Sequence, residues 1–248
     1  MSKSIHIFGF HSVESLLRTN PESVIKVFIL NNRKDKRVNE LVNTLTNQNI
    51  AFSSVDKNDL DRIAKGEIHQ GVISEVILPP LLNEESLFKS ISENSLKPLI
   101  LILDSIQDPR NLGACLRSAN AAGVDYVVTN KDGSAPINAV VHKTSAGAIN
   151  SLKIFHVTNL SRTIKEMQKR GIWVIGLDGN SKSTIYGVDL TDATAVVMGS
   201  EGKGIRKLIK KTCDQIVTIP MSGNIESLNV SVATGIALFE SKRQRESS

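Results

Sequence analysis

Three segments of the chain combine residue types and spacings that can do chemistry. The first, DSIQDPRNLGACLR, runs from Asp104 to Arg117. Asp108 followed by Pro109 is an N-cap with proline at the first helical position, so a helix starts there, with Asn111 in its first turn and Gly113 and Arg117 four apart on one face. An arginine one turn inside a helix, over a strand end, can grip a phosphate through its planar fork. A capping turn followed by a surface arginine has the same letters. The second segment, Gly199-Ser-Glu201-Gly202-Lys-Gly204, has three glycines that let backbone approach a ligand closely. Its spacing is GxxGxG rather than the dinucleotide GxGxxG. Glu201 would repel a pyrophosphate, yet it can accept a hydrogen bond from a ribose hydroxyl. The third segment runs from Ile219 through Pro220 and Met221 to Ser227, Leu228 and Asn229, where an apolar helix begins. Ser227 and Asn229 suit either a helix cap or a polar ligand.

Other residues offer less. Cys115 has no base near it in sequence and fits a small buried helix position. His6, His11, His69, His142 and His156 form no i,i+4 pair, and Cys115 and Cys213 belong to no zinc spacing, so the expectation is no metal. The basic stretch Arg33-Lys34-Asp35-Lys36-Arg37 is either a solvated loop or an RNA contact.

The elements that must position the three segments read in three textures. Over residues 1–76, β-type runs at 24–30, 51–55 and 71–76 alternate with a helical pattern from Arg37 to Gln48, which predicts a small α/β domain. Residues 77–98 hold Pro79-Pro80 and Pro98 and read as a linker with one short helix at 84–91. From 99 to 248, candidate strands at 99–103, 126–129, 154–157, 173–177, 195–199 and 216–220 alternate with helices, two of which stop at Gly123 and Gly171. Several strands are continuous apolar runs, so the sheet is expected to be parallel with helices on both faces. The helix after Leu228 carries Val230, Val232, Ala233, Ile236, Ala237, Leu238 and Phe239. Being apolar almost all round, it must be covered by the core or by a partner.

The 248 residues carry 30 Lys and Arg against 25 Asp and Glu, with 40% apolar side chains. This excludes a disordered or collagenous chain. Residues 99–248 hold the positive excess, which suits a polyanionic partner without proving one. No run approaches the ~18 apolar residues of a membrane span, and the first residues lack the apolar core of a signal peptide. The expectation is a cytoplasmic protein.

Together, NxGxxxR at 111–117, MGxEGxG at 198–204 and IPMxGxxxSLNVSVA at 219–233 resemble, in letters and in order, the SpoU (TrmH-like) family of RNA ribose 2'-O-methyltransferases, of the SPOUT class. The resemblance covers roughly residues 97–245. It implies an α/β methyltransferase domain with a C-terminal trefoil knot, preceded by a small RNA-binding domain. It also implies S-adenosylmethionine as cofactor, with Gly199, Gly202, Ile219, Met221 and Leu228 holding the adenosyl part. Arg117, Asn111, Glu201, Ser227 and Asn229 are then the catalytic candidates: Arg117 acts on the 2'-OH, Asn111 holds Arg117 or the ribose, and the others orient cofactor or substrate. A guanidinium does not readily deprotonate, so Arg117 is better suited to bind the adjacent phosphate and stabilise developing alkoxide. The N-terminal section and residues 157–176 are similar to the branch that methylates a guanosine ribose in the peptidyl-transferase region of 23S rRNA. The family further implies a homodimer in which Arg117 of one chain lies near the cofactor of the other. The competing readings are a tRNA ribose 2'-O-methyltransferase, a non-catalytic RNA-binding protein and, from the glycine loop alone, a Rossmann dehydrogenase.

Overall fold

The computed structural model describes every residue except 1–3, 32, 34, 78–81, 95, 96, 226 and 248. Pro79-Pro80 and Lys34 therefore lie outside the described residues. The elements are, in order, β1 (Ser4–Phe8), α1 (Phe10–Thr19), β2 (Val24–Leu30), α2 (Lys36–Asn47), β3 (Phe52–Val55), α3 (Lys57–Ala64) and β4 (Val72–Ile77), followed by α4 (Glu84–Asn94), β5 (Leu99–Asp104), α5 (Pro109–Ala122), β6 (Tyr126–Asn130) and α6 (Ala139–Thr144). The remaining elements are β7 (Lys153–Val157), α7 (Leu160–Lys169), β8 (Trp173–Leu177), β9 (Thr194–Gly199), α8 (Lys207–Thr212), β10 (Gln215–Val217) and α9 (Val230–Glu246).

Two compact units divide the chain. One consists of residues 1–80 and 137–151, the other of 81–136 and 152–248. The sequence pattern places 137–151 in the section beginning at 99 and makes 77–98 a linker. The structure instead groups 137–151 with the N-terminal residues. The helix expected at 84–91 extends over Glu84–Asn94, and Leu87 and Ile91 join the core of the second unit.

The first unit is built on a four-stranded sheet of order β1-β4-β2-β3, in which only the β2–β3 pair is parallel. Phe10, Val13 and Leu17 of α1 meet Val38, Leu41 and Leu45 of α2 at helical spacing over Val27 and Ile29. Segment 137–151 seats itself closely within this unit. A Cβ on Gly147, whose φ is +88°, would lie 2.0 Å from Ser15 Oγ, so only glycine fits there. The basic stretch is largely committed to structure. Arg37 makes paired hydrogen bonds to Glu14 at 2.7 and 2.8 Å, Arg33 donates to Asp35 and to the Gln70 carbonyl, and both guanidiniums stack on the Phe10 ring. The hydrogen bond from Arg37 is the main reason why the Glu14 carboxyl is held below its usual value.

The second unit has a six-stranded, wholly parallel sheet of order β10-β8-β9-β5-β6-β7. Every residue of β5, β6 and β9 is buried, as expected for strands covered on both faces. The Asp108 side chain caps α5 by accepting from the Arg110 N–H, and Gly123 ends the helix at φ +79°. The last strand is shorter than the 216–220 expected from sequence. Beyond Val217 the Thr218 N–H donates to Ser183 O and its carbonyl accepts from Ile185 N–H, so the chain leaves β8 for a neighbouring loop. On α9, Val230, Thr234, Ala237, Leu238 and Ser241 turn inward, while Val232 and Phe239 remain half exposed.

Candidate methyl-transfer site

Open parallel sheets bind ligands beyond the carboxyl ends of their strands. At that edge, the loops following β8, β9 and β10 and the start of α9 enclose a cleft of about 650 Å³. Gly199, Gly202, Ile219, Met221 and Leu228 all line it, as do Glu201 and Ser227.

The loop after β9 is shaped by its glycines. Ser200 and Gly204 exchange backbone hydrogen bonds of 3.1 and 2.8 Å, with Gly202 and Gly204 at φ +71° and +64°. This tight turn lifts Glu201 to the rim and folds residues 204–205 back over Gly199. A Cβ on Gly199 would lie 2.0 Å from the Gly204 carbonyl carbon and 2.1 Å from Ile205 N. The MGxEGxG spacing thus arises because the chain crosses its own backbone, and no pyrophosphate need be invoked.

One side chain joins the three segments. The Asn229 amide donates to Asn111 Oδ1 at 3.2 Å and to Glu201 Oε1 at 3.5 Å. Its own carbonyl caps α9 by accepting from the Ser231 N–H and hydroxyl at 2.9 and 2.6 Å. The two readings of Asn229, cap and site residue, are therefore both realised. Asn111 in turn donates to Asp108 at 3.4 Å. It makes no hydrogen bond to Arg117, contrary to the first of the two expected partners. Arg117 is exposed, is not among the residues lining the cleft, and has no hydrogen-bond or ion-pair partner among the described residues. Residues 111 and 117 are six apart, so their side chains leave α5 on different faces.

Sequence reasoning passes over the loop Leu177-Asp178-Gly179-Asn180, which forms another wall of the cleft. Burial pushes the Asp178 carboxyl up, but Lys210 Nζ at 2.9 Å and the Asn180 N–H at 3.0 Å outweigh it and hold the group below its usual value. The available signal is a strand end, WVIGL, followed by the turn letters Asp-Gly-Asn. Cys115 is buried between α5 and α9 with Sγ 3.4 Å from Thr234 Oγ1, and burial raises its thiol to about 11. It is a packing residue. Among the described residues, no group of three or more His, Cys, Asp or Glu side chains is placed to hold a metal, and no helix is long and apolar enough to cross a membrane.

Residues 98–239 match the SpoU rRNA Methylase family, and residues 6–80 match the RNA 2'-O ribose methyltransferase substrate binding family. The chain belongs to the SpoU rRNA Methylase family. It is 47% identical to a 23S rRNA (guanosine-2'-O-)-methyltransferase RlmB of Haemophilus ducreyi, over 98% of each chain. The corresponding RlmB of Escherichia coli is 44% identical over 96% of this chain and 98% of its own. In fold, the chain is similar to the SpoU methyltransferase AviRb from Streptomyces viridochromogenes, solved in complex with AdoMet, with a TM-score of 0.81 over 99% of this chain and 92% of that one at 21% identity. The TrmH/SpoU tRNA modifying enzyme of A. aeolicus is 32% identical but covers 66% of this chain and 85% of its own, with a TM-score of 0.56.

Proposed function

We propose that this chain transfers a methyl group from S-adenosylmethionine to the ribose 2'-OH of a guanosine in 23S rRNA. The observation that carries the reading is the Asn229 amide, which ties Asn111 and Glu201 together at the rim of the cleft. Full-length relatives named for that reaction support the substrate. The substrate-binding match at residues 6–80 favours rRNA over tRNA, because the tRNA-modifying relative covers only 66% of this chain.

The cleft fits the cofactor on its own geometry. Ile219, Met221 and Leu228 offer apolar walls for an adenine, and Gly202, with nothing within 4 Å of its Cβ position, leaves backbone open to it. Bound there, S-adenosylmethionine supplies an electrophilic methyl group on a sulfonium. Glu201 and Ser227 at the rim can accept hydrogen bonds from cofactor or ribose hydroxyls, while Asn229 fixes the Glu201 carboxylate. Alignment of this kind contributes several kcal/mol to a displacement reaction. Arg117 binds the phosphate next to the target ribose and stabilises charge developing on the 2'-oxygen, as phosphate or water takes the proton.

Arg117 lies outside the cleft lining, and this supports a homodimer in which one chain's Arg117 serves the partner's cleft. The exposed Val232 and Phe239, i and i+7 on α9, are apolar surface available to such a partner. The first unit, residues 1–80 with 137–151, contributes RNA affinity and target choice, the second unit is the catalytic domain with the family's C-terminal trefoil knot, and the protein works in the cytoplasm. Mapping ribose methylation in rRNA and tRNA from a deletion strain tests the reading. Loss of one guanosine methylation in 23S rRNA is expected, and loss in tRNA alone would refute it. Mixing Arg117→Ala with a cofactor-cleft variant should restore partial activity if the site is shared. Mixtures as inactive as their components would refute the shared site.

A further inference from the structure

A second hollow, of about 130 Å³, opens on the same sheet edge but on the other side of β5, between Asn130, the start of α7 and Arg206. It has room for a phosphate group but not for a nucleoside. Arg206 is held by a carboxylate that solvent does not reach. Its Nε donates to Asp104 Oδ1 at 2.7 Å and its own N–H donates to Oδ2 at 2.9 Å, with Asp104 fully buried at the end of β5. One edge of the guanidinium is thereby fixed. The Nη1–Nη2 edge has no partner among the described residues, and 52% of the side chain is exposed. Burying a carboxylate is costly, and a surface charge alone does not require it.

The other open groups are also donors. Asn130 is 6% exposed, and its Oδ1 accepts from the Ser105 N–H at 3.2 Å, which leaves Nδ2 without an acceptor among the described residues. The first turn of the ten-residue α7 is capped at Arg162 N–H by Asn159, and the N–H groups of Leu160 and Ser161 have no acceptor among the described residues. Among the described residues, no acidic side chain lines the hollow. A half-buried site with a fixed guanidinium edge, a buried amide donor and free helix N–H groups is built for an oxyanion.

We propose that this hollow binds a backbone phosphodiester of the RNA substrate and so sets the strand's register on the sheet edge. The proposal rests on the reading of the protein as an RNA methyltransferase. In the register of the sheet, Asp104 stands opposite Gly199, so the arginine it clamps is next to the strand that carries the Glu201 loop.

The test uses the full-length protein, Arg206→Lys and Asn130→Asp. Arg206→Lys keeps a charge for Asp104 but loses the fork, and Asn130→Asp sets a carboxylate against the phosphate. The probe is a fluorescent transcript of the peptidyl-transferase region of 23S rRNA, titrated over a range of salt. Each variant is expected to bind it about tenfold more weakly, with Arg206→Lys showing a salt slope shallower by about 0.7 and both keeping the wild-type affinity for S-adenosylmethionine. Melting curves show whether each variant is folded. If either folded variant bound the transcript with the wild-type affinity and slope, the proposal would be overturned. It would equally be overturned if the variants lost cofactor affinity and kept RNA affinity, since the anion would then be the cofactor carboxylate. Methyl transfer by the wild type is scored separately. A wild type that binds the transcript and leaves it unmethylated overturns the function proposed above, not the phosphate site.

Discussion

Gly199→Ala adds one methyl group at the point where the chain crosses itself. The new Cβ would meet the Gly204 carbonyl carbon at 2.0 Å, Ile205 N at 2.1 Å and Gly204 O at 2.4 Å, and each of these is a backbone atom with no rotamer to escape into. Real Cβ contacts essentially never fall below 3.0 Å, so the crossing must open by about 1 Å. The loop that must give way carries Glu201 and a wall of the cleft. Overpacking in a well-filled core costs about 1–3 kcal/mol, and a clash confined to backbone belongs at or above the upper end. A displacement of about 1 Å at a reacting site costs roughly 100-fold in rate. Thermal unfolding and calorimetric titration with S-adenosylmethionine are the assays. The variant should melt several degrees lower, bind the cofactor at least tenfold more weakly and lose most turnover. A variant with wild-type melting temperature and affinity would show that the loop has slack the geometry denies, and would remove Gly199 as the reason for the motif's spacing.

Arg117→Ala should abolish methyl transfer while leaving cofactor affinity within about twofold, and Arg117→Lys should rescue little because a point charge does not replace a fork; near wild-type turnover in either variant would remove Arg117 from the mechanism. Burial lowers His142 from 6.5 to about 4, so the folded protein keeps it neutral while the unfolded chain takes up a proton. This contribution is present above pH 6.5 and is lost as pH falls towards 4, by up to about 3 kcal/mol. Urea unfolding of wild type and His142→Gln should show a shallower loss for the variant in that window, and parallel profiles would contradict the assignment. Cys115→Ala should keep at least half of wild-type turnover, since a thiol raised to about 11 and packed against Thr234 is neither nucleophile nor base. Loss of turnover without loss of stability would contradict this.

Local chemistry was the most legible part of the sequence. Asp108-Pro109, Gly123 and Gly171 act through their own backbone and mark helix ends whatever surrounds them. The apolar runs LILIL and AVVMG likewise announced strands buried on both faces. What stayed hidden depends on which strands become neighbours. The Asp178 loop forms a wall because β8 lies beside β9, an adjacency that no spacing encodes. The link from Asn229 to Asn111 spans 118 positions, and Arg206 is paired with a carboxylate 102 positions away. The separation of Arg117 from Asn111, by contrast, follows from helical angle alone, since the start at Asp108-Pro109 already places both on one helix, six residues apart.

Segment 137–151 bears on how the protein is made and cut. Its grouping with residues 1–80 means that the chain passes between the two units three times, near residues 80, 136 and 151. The N-terminal unit therefore cannot be complete when residue 80 leaves the ribosome. It must wait until residue 151 has been synthesised, when β5 has been made and its partner β9 has not. A fragment ending at residue 80 leaves the seat of Gly147 against Ser15 empty, and one beginning at residue 77 removes the cluster of Phe8, Leu60, Ala64 and Ile73 against which Ala139 packs. No single protease cut yields two intact halves, and excising the first unit takes three.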